Sequence, residues 1–200
     1  EVLGRRIDPL GIVVGYDFRF GRSRSGDVDS LRQALPDLPI EQVEPLEMGG
    51  DVVSSSRIRA LVAEGEVNLA AQLLGCAHVV RGTVVAGDAR GRTMGFPTAN
   101  LETDAELIPA RGVYACRARA DGSDWLPAVA NLGTRPTFDG RGFLVEVHLL
   151  DFSGDLYGAE MEVAFIDRLR GEQTFDGVES LCSQIQQDVL AARVALEKGL

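Results

Sequence analysis

Two hundred residues, 45% hydrophobic and 25% charged, suffice for one large domain or for one complete domain with part of another, built around a real core. A formal net charge of -10 excludes a general nucleic-acid surface, because phosphate attraction needs an excess of Lys and Arg. No uninterrupted apolar run approaches membrane-spanning length, and no signal-peptide pattern opens the chain.

The first patterned segment, GIVVGYDFRFG from Gly11 to Gly21, starts apolar and turns at Gly15, as a buried parallel strand leading into a loop does. SSSRIRALVAEG, from Ser54 to Gly65, predicts a helix. Its serines can cap the free N–H groups, Ile58, Leu61 and Val62 share one face, and Gly65 stops it. A second short helix, NLAAQLLG, is expected to take Asn68 as its cap. This first segment reads as α/β. From about His78 the pattern changes to short β-branched or alternating runs: HVVRGTVVAG, GVYACRARA, WLPAVANLG, FLVEVHLLD and MEVAFIDRL. Turn clusters such as GDARG, DGS and DGRG separate them, and strands at this spacing predict a closed antiparallel barrel. The chain ends in a helix from near Asp176, where Asp176 and Glu179 form a capping box. Val178, Leu181, Ile185, Val189 and Ala192 make an apolar stripe suited to covering the barrel. The domain boundary is placed near Gly75, dividing 1–75 from 76–200. The three cysteines, Cys76, Cys116 and Cys182, are odd in number, far apart and without a CxxC pair. They are expected to be reduced thiols of a cytoplasmic protein, acting as small core hydrophobes rather than forming disulfides or a zinc site.

Three places invite a chemical reading. RGTVVAGDARGRTMG holds Gly82, Gly87, Gly91 and Gly95, with Arg81, Arg90 and Arg92 against only Asp88. Such a loop lets backbone N–H groups approach an anion, although a plain hairpin with solvated arginines has the same composition. It is not a Walker loop, since GxxxxGK[ST] occurs nowhere. In FPTAN, an extended backbone would point Thr98 and Asn100 to one face. A hydroxyl and an amide carbonyl are hard neutral ligands that Mg²⁺ accepts while bridging substrate phosphates. Two turn-stabilising polar residues after a proline fit the pattern as well. Glu146, in FLVEVHLLDF, shares a face with Leu144, His148 and Leu150, opposite Val145, Val147 and Leu149. Alternation alone favours an outward Glu and His on a half-buried strand. A carboxylate flanked by apolar neighbours at a barrel wall would instead be pushed towards general-base duty. Arg170, in RLRGEQTF, reads as a solvated loop arginine or as a mobile one reaching phosphate.

Five motifs in register, GRTMGFPTANL, IPARGVYA, AVANLGTRPTF, VEVHLLDFSGDLYG and FIDRLRGEQTFDGVESLCSQIQQDV, resemble the riboflavin kinase module of bacterial bifunctional riboflavin kinase/FMN adenylyltransferase (FAD synthetase). The similarity runs from about Leu74 to Arg193. VVGYDFRFGRSRSGDVDSL and SSSRIRALVAEGEVNLAAQLLG are similar to the end of the adenylyltransferase domain of the same family. The resemblance implies a Rossmann-like nucleotidyltransferase remnant followed by a six-stranded antiparallel barrel with a terminal helix. It further implies a reaction of ATP with riboflavin to give FMN, with Mg²⁺. Thr98 and Asn100 would hold Mg²⁺–ATP, the loop from Gly82 to Gly95 would close over the phosphates, and Glu146 would take the proton from the ribityl 5′-hydroxyl. Arg170 and the nearby loop would border the flavin. Upstream, Ser54, Ser55, Arg57 and Arg59 match the adenylyltransferase nucleotide-binding signature, and Asp17 and Phe18 its substrate-site motif.

Departures from the family pattern are local at Ser56, Met94 and GCAHVV, and larger in one respect. The adenylyltransferase needs a His-x-Gly-His element, whereas His78 and His148 are the only histidines here. Residues 1–75 are therefore expected to be the back half of that domain, without adenylyl transfer by this chain. A flavin- or nucleotide-binding module without catalysis is the alternative. The sequence is silent on oligomeric state.

Overall fold

The structure, a computed structural model, describes residues 7, 9–87, 90–134 and 143–197, with backbone alone at Arg90 and Thr134. It divides into two compact units, residues 1–53 and 54–200.

In the first unit, β1 (Ile12–Gly15) pairs in parallel with β2 (Ile40–Val43). Between them lies α1 (Val28–Ala34), capped by the Asp27 carboxylate, which accepts from Ser30 N at 2.9 Å. Helix α1 buries Val28 and Leu31. The short strands β3 (Glu47–Met48) and β4 (Asp51–Val52) make a two-stranded hairpin. The expected parallel strand at Gly11–Gly21 is present, but it is not buried on both faces. Val14 is buried while Val13 is 67% exposed, because a two-stranded sheet has only one covered side.

The second unit opens with α2 (Ser55–Glu64) and α3 (Val67–Leu74). Ser54 caps α2 by accepting from Arg57 N at 3.2 Å, and Gly65 ends it at φ +87°, a left-handed conformation that a Cβ disfavours. Asn68 is not the cap of α3. It lies inside the helix and accepts from Gln72 Nε2 one turn on, at 2.8 Å. Helix α3 delivers Val67 to the barrel core, so these helices belong with the barrel. The compact units consequently part upstream of the Gly75 boundary placed from the sequence.

The barrel strands are β5 (His78–Val85), β6 (Ala99–Glu102), β7 (Gly112–Ala120), β8 (Leu126–Thr134), β9 (Phe143–Leu149) and β10 (Glu160–Arg170). A short helix, α4 (Arg90–Thr93), joins β5 to β6. Antiparallel pairing in the order β10-β5-β6-β9-β8-β7 closes the six-stranded barrel. The strand that no run in the sequence announced is β6, a four-residue piece that starts within FPTAN and runs on to Glu102.

Alternation sorts each strand into an inner and an outer face. Val80, Val84, Leu101, Leu132, Val145, Val147, Met161, Val163 and Phe165 fill the interior. The outward-facing Val113, Ala115, Val129 and Ile166 pack under Val189, Ala192 and Leu196 of α5 (Val178–Glu197). The terminal helix thus covers the barrel as its apolar stripe predicts, though Val178 at its start is 62% exposed. Cys116 is buried in the core, while Cys76 is exposed and Cys182 half-buried. Burial pushes the Cys116 thiol up.

Candidate functional site

Strand register builds the site. Asn100 on β6 sits directly opposite Glu146 on β9, and Glu146 sits directly opposite Asn131 on β8. Their inward neighbours, Leu101, Val145, Val147, Ala130 and Leu132, all belong to the barrel core. The period of two therefore turns all three polar side chains to the outer wall. Asn131 Nδ2 donates to Glu146 Oε2 at 3.3 Å. Asn100 is buried, whereas Glu146 and Asn131 are half-buried. Glu146 thus faces outward, as alternation favours, and its cross-strand neighbours are two amides rather than apolar side chains.

Past β5 the chain lies against this row. A methyl at Gly87 would fall 2.0 Å from Asn100 Nδ2, and one at Gly91 would fall 2.3 Å from the Phe96 carbonyl and 3.3 Å from Thr98 Oγ1. Only a glycine admits either approach. The glycine segment therefore touches both Thr98 and Asn100, the pair singled out from the sequence. Gly95 takes φ +84° at the end of the turn after α4. Gly82 has a different role. It lies within β5, opposite Met161, where a Cβ would strike the Glu102 carbonyl at 2.1 Å. The loop expected over Gly82–Gly95 therefore begins after Val85, and Asp88, Ala89 and the Arg90 side chain lie outside the described residues.

The turn before β6 is held from β9. His148 Nδ1 donates to the Pro97 carbonyl at 2.7 Å, and its ring meets Phe96 edge-on at 5.9 Å. A pocket of about 290 Å³ opens beside this turn, lined by Arg92, Thr98, the inner-face Val84 and Val147, and Phe152, Leu156 and Tyr157 of the segment after β9. Thr98 stands in its wall. Asn100 and Glu146 do not, and they lie on the outer wall, while Thr98 stands just before β6. The sequence reading passed over Asn131 and weighed His148 only as an outward residue. Strand alternation in WLPAVANLG was the one signal that set Asn131 opposite the apolar face.

Arg170 is not a solvated loop arginine but a half-buried, ion-paired one. It ends β10, and its Nε and Nη2 donate to both oxygens of the buried Asp188 carboxylate on α5, at 2.8 to 3.1 Å. Gln184 also donates to Asp188, and the Arg170 guanidinium lies over the Phe175 ring. Upstream, Phe18 stacks on Phe20 at 5.7 Å beside Asp17 in the first compact unit. Ser54, Ser55, Arg57 and Arg59 lie at the start of α2 in the second.

Among the described residues, no group of three or more His, Cys, Asp or Glu side chains is placed to hold a metal by itself. The donors beside the glycine segment are the Thr98 hydroxyl and the Asn100 amide. That set fits a hard ion shared with phosphate oxygens, and it does not fit zinc.

The fold and site define a small antiparallel-barrel module with a polar row and a glycine-rich approach at one rim. Among protein-family models, Riboflavin kinase matches residues 74–196 and FAD synthetase matches residues 1–57. The chain belongs to the riboflavin kinase family. It is 42% identical over 195 residues, 96% of its length, to the bifunctional riboflavin kinase/FMN adenylyltransferase of Escherichia coli K12. It is also 42% identical, over 94% of its length, to the protein of the same name from Pseudomonas fluorescens. The chain spans 62% of the length of each of these relatives. A solved structure described as a macrolide-efflux protein from Streptococcus pneumoniae superposes with a TM-score of 0.82 at 37% identity, covering 90% of this chain and 58% of that one. Among the described residues, no helix is long and apolar enough to cross a membrane.

Proposed function

We propose that this chain is a riboflavin kinase, transferring the γ-phosphoryl group of ATP to the 5′-hydroxyl of riboflavin to give FMN and ADP. The observation that carries the reading is the register that sets Asn100 beside Glu146 while the glycine segment touches Thr98 and Asn100. The reading puts ATP in the pocket lined by Arg92 and Thr98, its phosphates approached by backbone at Gly87 and Gly91 with no side chain between. Mg²⁺ held by Thr98 and Asn100 would supply neutralisation of the developing phosphate charge.

In this assignment Glu146 accepts the proton of the attacking ribityl hydroxyl, and the strands on both sides hold it in place. Phosphoryl transfer depends mainly on positioning, which a closed barrel provides. His148 keeps the Phe96–Pro97 turn fixed, so that Thr98 and Asn100 hold their relation to the glycine segment. Arg170, locked to Asp188, shapes the segment from Gly171 to Phe175 that borders the flavin. By sequence we assign residues 76–200 to the kinase and 1–75 to the adenylyltransferase portion, although α2 and α3 pack with the barrel. Asp17 and Phe18 in the first compact unit, and Ser54, Ser55, Arg57 and Arg59 in the second, are assigned to that portion each in its own unit.

The test is direct. The chain, riboflavin and Mg²⁺–ATP are incubated, and FMN is followed by chromatography. FMN production is expected. Folded protein that quenches flavin fluorescence yet forms no FMN would overturn the catalytic reading in favour of a binding module.

A further inference from the structure

We propose that Asn131 is a positioning residue for the Glu146 carboxylate, acting through that carboxylate and not on substrate. The inference rests on the kinase reading above and adds to it a residue outside the metal and phosphate set.

The terminal torsion of a glutamate is broad and nearly two-fold, so a half-buried carboxylate without a fixed donor samples many orientations. A general base needs one orientation, within hydrogen-bond reach of the proton it takes. Asn131 meets that need. Its Nδ2 donates to Glu146 Oε2 at 3.3 Å from the directly opposed position on the next strand. The donor is itself rigidly mounted. Asn131 is paired to Val113 on one side and to Glu146 on the other, and its chain neighbours Ala130 and Leu132 are fully buried. A donor on a strand paired along both edges cannot drift, which is the kind of support a catalytic group requires. The amide also carries no charge, so it constrains the carboxylate without the strong preference for ionisation that a guanidinium would impose. Asn100, opposite Glu146 on the other side, is engaged by Gly87 and sits next to the phosphate approach. The two amides therefore divide the work around one carboxylate.

The test uses the whole chain. Asn131→Leu keeps the side chain's shape and removes the donor, and Asn131→Ala serves as the second variant. Each is expected to lower kcat by roughly 10- to 100-fold, with the KM for riboflavin changed less than about three-fold. In a Glu146→Gln background, Asn131→Leu should lower kcat by less than about two-fold, because the group it orients is no longer a base. Equal losses in both backgrounds, or wild-type kcat in both Asn131 variants, would overturn the positioning role. An independent readout is the ¹⁵N–¹H side-chain amide signal of Asn131, which should move on Glu146→Gln in otherwise unaltered spectra. An unmoved signal refutes the pairing whatever the activity. If the unmutated protein makes no FMN, the kinase reading itself falls, and this role with it. Loss of the coupling in an active enzyme removes Asn131 alone.

Discussion

Two glutamates occupy equivalent places on the barrel, each at the centre of a row across three neighbouring strands. Glu162 of β10 faces Arg81 on β5 and Arg119 on β7. Glu146 of β9 faces Asn100 on β6 and Asn131 on β8. In the first row Arg81 Nε reaches Oε1 at 2.5 Å, Arg119 holds Oε2, and Arg119 also lies over the Trp125 ring at 4.5 Å. The Arg119 and then the Arg81 hydrogen bonds hold the Glu162 carboxyl below its usual range. With a guanidinium on each oxygen it is a poor proton acceptor and a good cross-strand tie. The second row surrounds its carboxylate with neutral amides and a glycine approach. The same residue type at an equivalent station is thus a surface brace in one row and a candidate base in the other, and the neighbours make the difference.

The sharpest way to break that contrast is Glu146→Gln beside Glu162→Gln. The first should cut kcat by about 10²-fold or more while flavin-fluorescence quenching by the protein persists. The second should leave kcat within about two-fold, and the reverse outcome would exchange the two assignments. A smaller effect is expected around the Asn100 amide of the second row. Asn100→Ala should raise the KM for Mg²⁺–ATP by roughly ten-fold, and Gly87→Ala should act in the same direction, since its methyl would fall on the Asn100 amide. Steady-state kinetics with ATP varied at saturating riboflavin checks both.

The smallest effect concerns stability and pH. Glu162 has a folded-state pKa below its ordinary value of 4.5, so its pairing contributes stability above about pH 4.5 and loses it as pH falls through the lowered value. The melting-temperature gap between the unmutated protein and Glu162→Gln should therefore be present at pH 7 and close in stronger acid. Because Arg81 is exposed while Glu162 and Arg119 are half-buried, the gap should shrink only in part in high salt. A gap that widens in acid would contradict the ion-pair account.

The barrel and its covering helix were legible because long alternating strands and a stripe at helical spacing are local signals. The cap at Ser54 and the stop at Gly65 were legible for the same reason. Short elements were not. Strand β6 has four residues, too few to show a period, and it follows a proline that reads as a turn. Gly82 looked like part of a loop because its reason for being glycine, the close passage of the Glu102 carbonyl, lies on another strand. Arg170 looked solvated for want of any local sign of Asp188, a helix away. Asn68 was read as a cap, yet α3 starts one residue earlier and absorbs it.

What the sequence determined by itself was which residues could be inner, which outer, and where α2 begins and stops, since those follow from periodicity and backbone preference along a few neighbouring positions. Tertiary structure alone decided which outer residues meet. Closing the barrel sets the register of β6 against β9 and of β9 against β8, and a slip of one residue would have turned Glu146 inward and parted it from both amides.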